Sequence, residues 1–361
     1  MRVSFILPGF PSAPVGGFAV VYTYANHLTR RGHQVNVIHP RAWMTHAGWS
    51  RRAVNHVRAL ARSAVGSVPR DGRPAWFPLD ADVRSVIVPR LAPNTVPDGD
   101  AVFATAWETA SIVHALPPPT GRKLYLIQHY ETWSGPQELV DATWRLPMDK
   151  VVISKWLLEI AQGLGVAGET TYIPNGIDLE RFRITDPPQR RDRFRVGLLH
   201  HRRKWKGTAD GLRALESVRR TRPGLEAVLF GTAQRPRVPE WVIYAPAPAG
   251  ERLVELYNSM AIFLHPSWTE GWPLPPAEAM ACGCALVAAA NRGVSEYAID
   301  GSTALMAPVR DIAGLAAAVG RLIDDDDLRV RIATAGHAHI RSFTWEAAVD
   351  RLEALLTAGS D

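Results

Sequence analysis

The residues best able to do chemistry gather in one segment, Ser267-Trp268-Thr269-Glu270-Gly271-Trp272-Pro273-Leu274-Pro275-Pro276-Ala277-Glu278-Ala279-Met280-Ala281-Cys282-Gly283. Pro275 and Pro276 suit a helix start, where a missing N–H costs nothing, and Gly283 suits a helix end, so a helix is predicted over 276–282. Glu278 then sits in the first turn and Glu270 on the preceding loop, and the two carboxylates flank a helix N-terminus. Free backbone N–H groups around Leu274 and Ala277, with the helix dipole behind them, suit a phosphate. A basic loop, His200-His201-Arg202-Arg203-Lys204-Trp205-Lys206-Gly207, follows a predicted strand over 195–199. His129 leaves the end of a predicted strand over 123–128 and is followed by Tyr130-Glu131-Thr132-Trp133; Trp107-Glu108 stands after another, over 101–104.

Near the N-terminus, Gly16-Gly17 precedes a helical pattern. Bare N–H groups there can face an anion, or the glycines serve loop geometry alone. The segment has no G-x-G-x-x-G, so hydride transfer with a nicotinamide cofactor loses its main support. G-x-S-x-G, H-E-x-x-H and a phosphate loop ending in Gly-Lys-Ser/Thr are also missing. No element interleaves aromatic and basic residues as a nucleic-acid binder would.

These residues need a framework. Short Val/Ile/Leu/Phe runs alternate with segments of helical period, the pattern of parallel sheets covered by helices. At 361 residues, 47% apolar and 21% charged, the chain reads as a folded, soluble protein of two domains. The opening run Val3–Leu7 is too short for a signal-peptide core and predicts a first strand; no stretch is long and apolar enough to span a membrane. The segment Ile173-Pro174-Asn175-Gly176-Ile177-Asp178 and the polar stretch 186–192 read as a linker. Open sheets of this kind bind ligands beyond the C-terminal ends of their strands. The run Asp324–Asp327 reads as a solvated loop. Cys282 and Cys284 are the only cysteines, and a bridge across one residue would be badly strained. A reduced, cytoplasmic chain with buried thiols is expected, and two such ligands make a poor metal site. The net charge of +6 comes from an arginine-rich composition with only five lysines, and by itself selects no partner. Residues 51–65 have an amphipathic pattern that fits docking on an anionic lipid surface, a lid over an acceptor site, or an ordinary surface helix.

Glu270-x7-Glu278 in E-G-W-P-L-P-P-A-E-A-M-A-C-G resembles the signature of the nucleotide-sugar glycosyltransferases of family 4. Three further segments occur in matching order: Ile173–Asp178, the Gly293–Glu296 loop with Asp300-Gly301, and Phe343-Thr344-Trp345-Glu346. The resemblance implies an α/β GT-B architecture, two Rossmann-like domains with parallel sheets facing a central cleft. Residues 1–176 would form the acceptor-side domain, with the helix over 343–361 packing back on it, and 177–342 the donor domain. It also implies retention of anomeric configuration, with no metal and no cofactor.

By that resemblance Glu278 bonds the ribose of the donor nucleotide, Glu270 contacts the transferred sugar, and the chain at Leu274 and Pro275 meets sugar or diphosphate. Lys206, before Gly207, is the diphosphate lysine; Gly16 and Gly17 line the donor; His129 lies near the reacting centre. The family's arginine after the strand glycine is Leu198 here, leaving Arg202 or Arg203 to supply that charge. A nucleobase pocket is expected near Tyr244-Ala245-Pro246. The expected partners are a nucleoside-diphosphate sugar and an unidentified saccharide, lipid-linked or small-molecule acceptor, with no nucleic acid. A nucleotide-sugar epimerase of the same fold and a non-catalytic nucleotide-sugar binding protein are the competing readings.

Overall fold

A computed structural model describes residues 1–41, 44, 72–232 and 234–358; the amphipathic pattern at 51–65 lies outside them. The chain divides into two compact units, Met1–Asn175 together with the chain from Trp345 onward, and Gly176–Thr344.

The first unit holds a seven-stranded sheet of parallel pairs, built from β1 (Arg2–Ile6), β2 (Gln34–Pro40), β3 (Arg84–Val88), β4 (Ala101–Ala104), β5 (Arg122–Ile127), β6 (Asp149–Val152) and β7 (Thr170–Tyr172). Its order is β3-β2-β1-β4-β5-β6-β7, so the strand sequence reverses between β1 and β4. Helices α1 (Gly16–Arg30), α2 (Trp107–His114), α3 (Gln137–Trp144) and α4 (Lys155–Gly163) follow β1, β4, β5 and β6. The last helix, α10 (Trp345–Thr357), packs on α1. There Trp345 meets Tyr24 edge-on at 5.3 Å, and Arg31 pairs with Asp350 and Glu353.

The second unit holds β8 (Arg195–Leu199), β9 (Glu226–Gly231), β10 (Val242–Pro246), β11 (Ile262–His265), β12 (Ala285–Ala289) and β13 (Ala304–Ala307) in the order β10-β9-β8-β11-β12-β13, again parallel. Its described helices are α5 (Thr208–Thr221), α6 (Glu251–Asn258), α7 (Leu274–Ala281), α8 (Ile312–Asp324) and α9 (Asp326–Ile340). Strands buried on both faces read as continuous apolar runs; β11 and β12 are buried at every position. The sheet reverses between β8 and β11, the point at which open α/β sheets leave a crevice for ligands.

Apolar periodicity located ten of the strands but not β7, β10 and β13. The first two carry Thr, Tyr and Pro at partly exposed positions, and β13 is a four-residue Ala-rich run. The acidic run at 324–327 is not a loop. Asp325 caps α9 by accepting from Leu328 N–H at 2.8 Å, Asp326 and Asp327 occupy its first turn, and Asp324 pairs with Arg222. Acidic groups there complement the helix dipole.

Arg191 is buried and clamps the chain entering the second unit. It donates to the carbonyls of Asp186 (2.9 Å), Met260 (3.1 Å) and Cys282 (2.6 Å) and to Asn258 Oδ1 (3.0 Å). Both thiols are buried nearby, and burial pushes them up, Cys284 to about 11, so neither is a nucleophile. Arg191→Met orphans these carbonyls and is expected to cost about 3 kcal/mol in urea unfolding. No helix among the described residues is long and apolar enough to cross a membrane.

Candidate active site

The loops leaving β8 and β11 meet at the strand-order reversal of the second unit. Lys206 Nζ lies 2.8 and 2.7 Å from Glu270 Oε1 and Oε2, and Ser267 Oγ donates to Oε1 at 2.7 Å. The pair is asymmetric in exposure: the Glu270 side chain is 10% accessible and that of Lys206 28%. Burial alone would push the Glu270 carboxyl up, but the Lys206 charge outweighs it and holds the group below its ordinary range.

Backbone geometry fixes both partners. Gly207 has φ +66°, and a Cβ there would lie 2.1 Å from Pro266 O. A Cβ at Gly293 would lie 2.4 Å from Glu270 O, so the loop after β12 also presses on this site and tolerates no side chain. His265, at the end of β11, is buried and held neutral, its pKa lowered to about 4 by burial. His201 is likewise lowered to about 4 by burial and then by Lys206, and its Nδ1 accepts from Arg203 N–H at 3.0 Å.

Helix α7 starts at Leu274, two residues earlier than the prolines suggest. The first four N–H positions of a helix lack intrahelical acceptors, and here three of them, Pro273, Pro275 and Pro276, carry no N–H at all. The Leu274 N–H is therefore the one N–H among these four positions, and the Ala277 N–H lies against the buried Tyr297 phenol. The expected cradle of several N–H groups reduces to one. Glu278 moves accordingly into the second turn, where Tyr257 O–H donates to its Oε2 at 2.9 Å. Burial pushes the Glu278 carboxyl up to about 7, with the Tyr257 bond acting in the opposite sense.

Leu198 is fully buried in the core of the second unit and packs toward Gly211. A cation at that strand position would point into the apolar core, so Leu198 marks no lost contact to an anion. Of the two neighbouring arginines, Arg203 lies over the Trp205 ring at 4.8 Å, and Arg202 is exposed with a 3.4 Å contact to Gln234. The Arg203 carbonyl accepts from Lys206 N–H at 3.1 Å, which closes the turn before Gly207. Tyr244, on β10, has its hydroxyl on Gly231 O at 3.0 Å and its ring 6.0 Å from that of His200.

In the first unit, Gly16 and Gly17 are the first two residues of α1, and the Gln128 amide donates to Gly17 O at 3.0 Å. Space around Gly16 is open, whereas a Cβ at Gly17 would meet Gln128. The His129 ring stands edge-on to Trp133 (4.3 Å) and Trp156 (5.2 Å). Its loop is pinned to the start of α2: Glu131 accepts from Trp107 N–H at 2.9 Å, and the Trp107 indole N–H donates to Ser134 Oγ at 2.7 Å. Glu131 is pushed up to about 8 by burial. Tyr257, Ser267 and His265 were given no role in the sequence. Tyr257 meets Glu278 across 21 residues and His265 is set by burial, neither of which spacing signals, whereas Ser267 bonds Glu270 only three residues on.

The two α/β units on parallel sheets make the GT-B fold. Residues 192–325, which include Lys206, Glu270 and Glu278, match the family model described as glycosyl transferases group 1. The chain is 27% identical to a D-inositol 3-phosphate glycosyltransferase of Acidothermus cellulolyticus over 232 residues, 56% of this chain and 51% of that protein. It is 32% identical to a glycogen synthase of Mycobacterium tuberculosis over 198 residues, 51% of this chain and 47% of that protein. The chain thus spans about half the length of these curated relatives. Among solved structures, HepE of Anabaena in complex with UDP-glucose superposes with a TM-score of 0.75 at 16% identity, covering 99% of this chain and all of that one.

Proposed function

We propose that this protein is a retaining glycosyltransferase of family 4, moving a sugar from a nucleoside-diphosphate donor to an acceptor hydroxyl without a metal ion. The observation that carries the reading is the ion pair of half-buried Lys206 with buried Glu270, before the α7 helix start at the strand-order reversal of the Gly176–Thr344 unit. That unit is the proposed donor domain, and the other the acceptor domain. The group 1 match over 192–325 supports the class, and the HepE complex makes UDP-glucose the first donor to test.

In the proposed reaction the bond from C1 of the sugar to the diphosphate oxygen breaks, and the electron pair leaves with the diphosphate. The acceptor oxygen bonds to C1 from the same face, and its proton passes to the departing phosphate oxygen, so configuration is retained. Lys206 and the Leu274 N–H stabilise the charge that develops on the leaving group. Glu270 anchors Lys206 and faces the sugar, and Pro275 shapes the same helix start. Arg202, less engaged than Arg203, is the arginine proposed to turn toward the diphosphate. In the first unit, His129 is proposed to bond the transferred sugar or orient the acceptor, and Gly16 and Gly17 to present open backbone to the donor.

Glu278 is proposed to accept from the ribose hydroxyls. Glu278→Gln is expected to weaken donor binding about 10-fold or more, the loss of a charge-assisted hydrogen bond. Because burial raises this carboxyl to about 7, wild-type affinity should fall as pH drops through that value and the acceptor oxygen protonates. Calorimetric titration between pH 6 and 8 reads both effects, and the Gln variant should lose the pH dependence.

A thermal-shift screen of UDP-, GDP- and dTDP-sugars, followed by donor turnover with and without acceptor candidates, tests the function. Binding with slow donor hydrolysis and acceptor-dependent transfer is the expected result. An altered sugar without any acceptor would mark an epimerase, binding without turnover a non-catalytic binder, and no binding at all would overturn the reading.

A further inference from the structure

Arg310 holds a backbone conformation that arginine disfavours. It is the third residue of a turn, Pro308-Val309-Arg310-Asp311, closed by Asp311 N–H donating to Pro308 O at 3.0 Å, and its φ is +68°. That position of such a turn calls for glycine or asparagine, because a Cβ crowds the neighbouring carbonyl. Among the described residues only Ala247 shares this feature outside glycine. Strain of this kind persists where the surroundings enforce it, and it points to a role.

What the strained turn achieves is a stack. The Arg310 guanidinium carbon lies 3.9 Å from the centroid of Trp268, a close cation–π contact. Trp268 is the staple between the two loops of the candidate active site. Its backbone N–H donates to Trp205 O at 2.7 Å, and its indole N–H to Asp210 Oδ2 on α5 at 2.8 Å. Trp205 directly precedes Lys206, and Trp268 stands two residues before Glu270. The exposed Arg310 side chain thus covers the ring of the residue whose backbone and indole N–H groups tie the Glu270 loop to the Lys206 loop and to α5.

We propose that Arg310 is a positioning residue for the Lys206–Glu270 pair, acting through Trp268. Its effect on turnover rests on the functional reading above; its effect on the two loops does not.

The test uses Arg310→Gly in the full chain, which relieves the backbone strain while deleting the stack. Thermal stability should stay level or rise. Hydrogen exchange of the peptide covering 266–273 should speed about 10-fold, with the β8 and β11 peptides unchanged. Donor turnover should fall about fivefold or more with UDP affinity within twofold, and Arg310→Lys, which keeps the cation, should recover part of the loss. Exchange over 266–273 within twofold of wild type would overturn the proposal whatever the activity shows. If wild type turns over no nucleotide sugar, the functional reading fails, and the exchange result still decides the role of Arg310.

Discussion

Lys206→Ala is expected to lower sugar-transfer turnover by about 100- to 1,000-fold, the usual consequence of removing one group aimed at charge that develops in the transition state. Donor affinity should change far less, because the charge on the leaving diphosphate grows only as the sugar bond breaks. The second half of the effect lies in Glu270. With Lys206 present, its carboxyl sits below the ordinary range, so the pair contributes stability at neutral pH that is lost as pH falls through the carboxylate range. Without Lys206, burial is opposed only by His265 and the Ser267 hydrogen bond, so the depression of Glu270 shrinks and the variant should show a smaller stability difference between pH 8 and pH 5 than wild type. Steady-state kinetics together with thermal unfolding at pH 5 and pH 8 check both halves. Turnover within threefold of wild type would remove Lys206 from the mechanism.

Gly207→Ala is expected to be the most damaging single methyl in this region. The left-handed backbone at φ +66° costs any other residue about 1–2 kcal/mol. The added Cβ would also lie 2.1 Å from Pro266 O, a backbone atom anchored at the end of β11. Something in the loop must move, and a total cost of about 3–4 kcal/mol is expected. For a unit of this size that is a drop of roughly 6–16 °C in melting temperature. The displaced atoms belong to the residue after Lys206 and to the strand exit leading to Glu270, so turnover should fall in the same variant. A melting temperature within 2 °C of wild type would show that the two loops do not approach as closely as described.

How much of this was legible in the residues themselves differs from element to element. Strands such as Ala101–Ala104 and Arg195–Leu199 stood out because they are buried on both faces and carry unbroken apolar runs. Val242–Pro246 did not, because four of its five residues are partly or largely exposed and one of these is proline, which masks the apolar signal. The acidic run at 324–327 misled for a related reason. Charge density reads as solvated loop, yet the same carboxylates cap and begin α9. The start of α7 was misplaced by two residues because proline is accepted at several first-turn positions. With the helix beginning at Leu274, prolines without an N–H occupy the N-cap and two first-turn positions, and Glu278 falls in the second turn, where Tyr257 bonds it.

The sequence by itself determined which side chains carry charge and which loops hold them, because those facts depend on residue type and on apolar periodicity along a short stretch. The alternation of strands and helices likewise fixed the α/β class. Only the tertiary structure decided that Lys206 meets Glu270, that Tyr257 meets Glu278 and that Arg310 covers Trp268. Each of these contacts joins positions separated by 21 to 64 residues. The order of strands in the sheet brings Lys206 and Glu270 together, because β8 and β11 become neighbours only when β9 and β10 are laid to one side. Burial then sets the two glutamates apart, one held ionised by an ammonium and the other raised toward neutrality beside a phenol, a difference no spacing of two identical residues could announce.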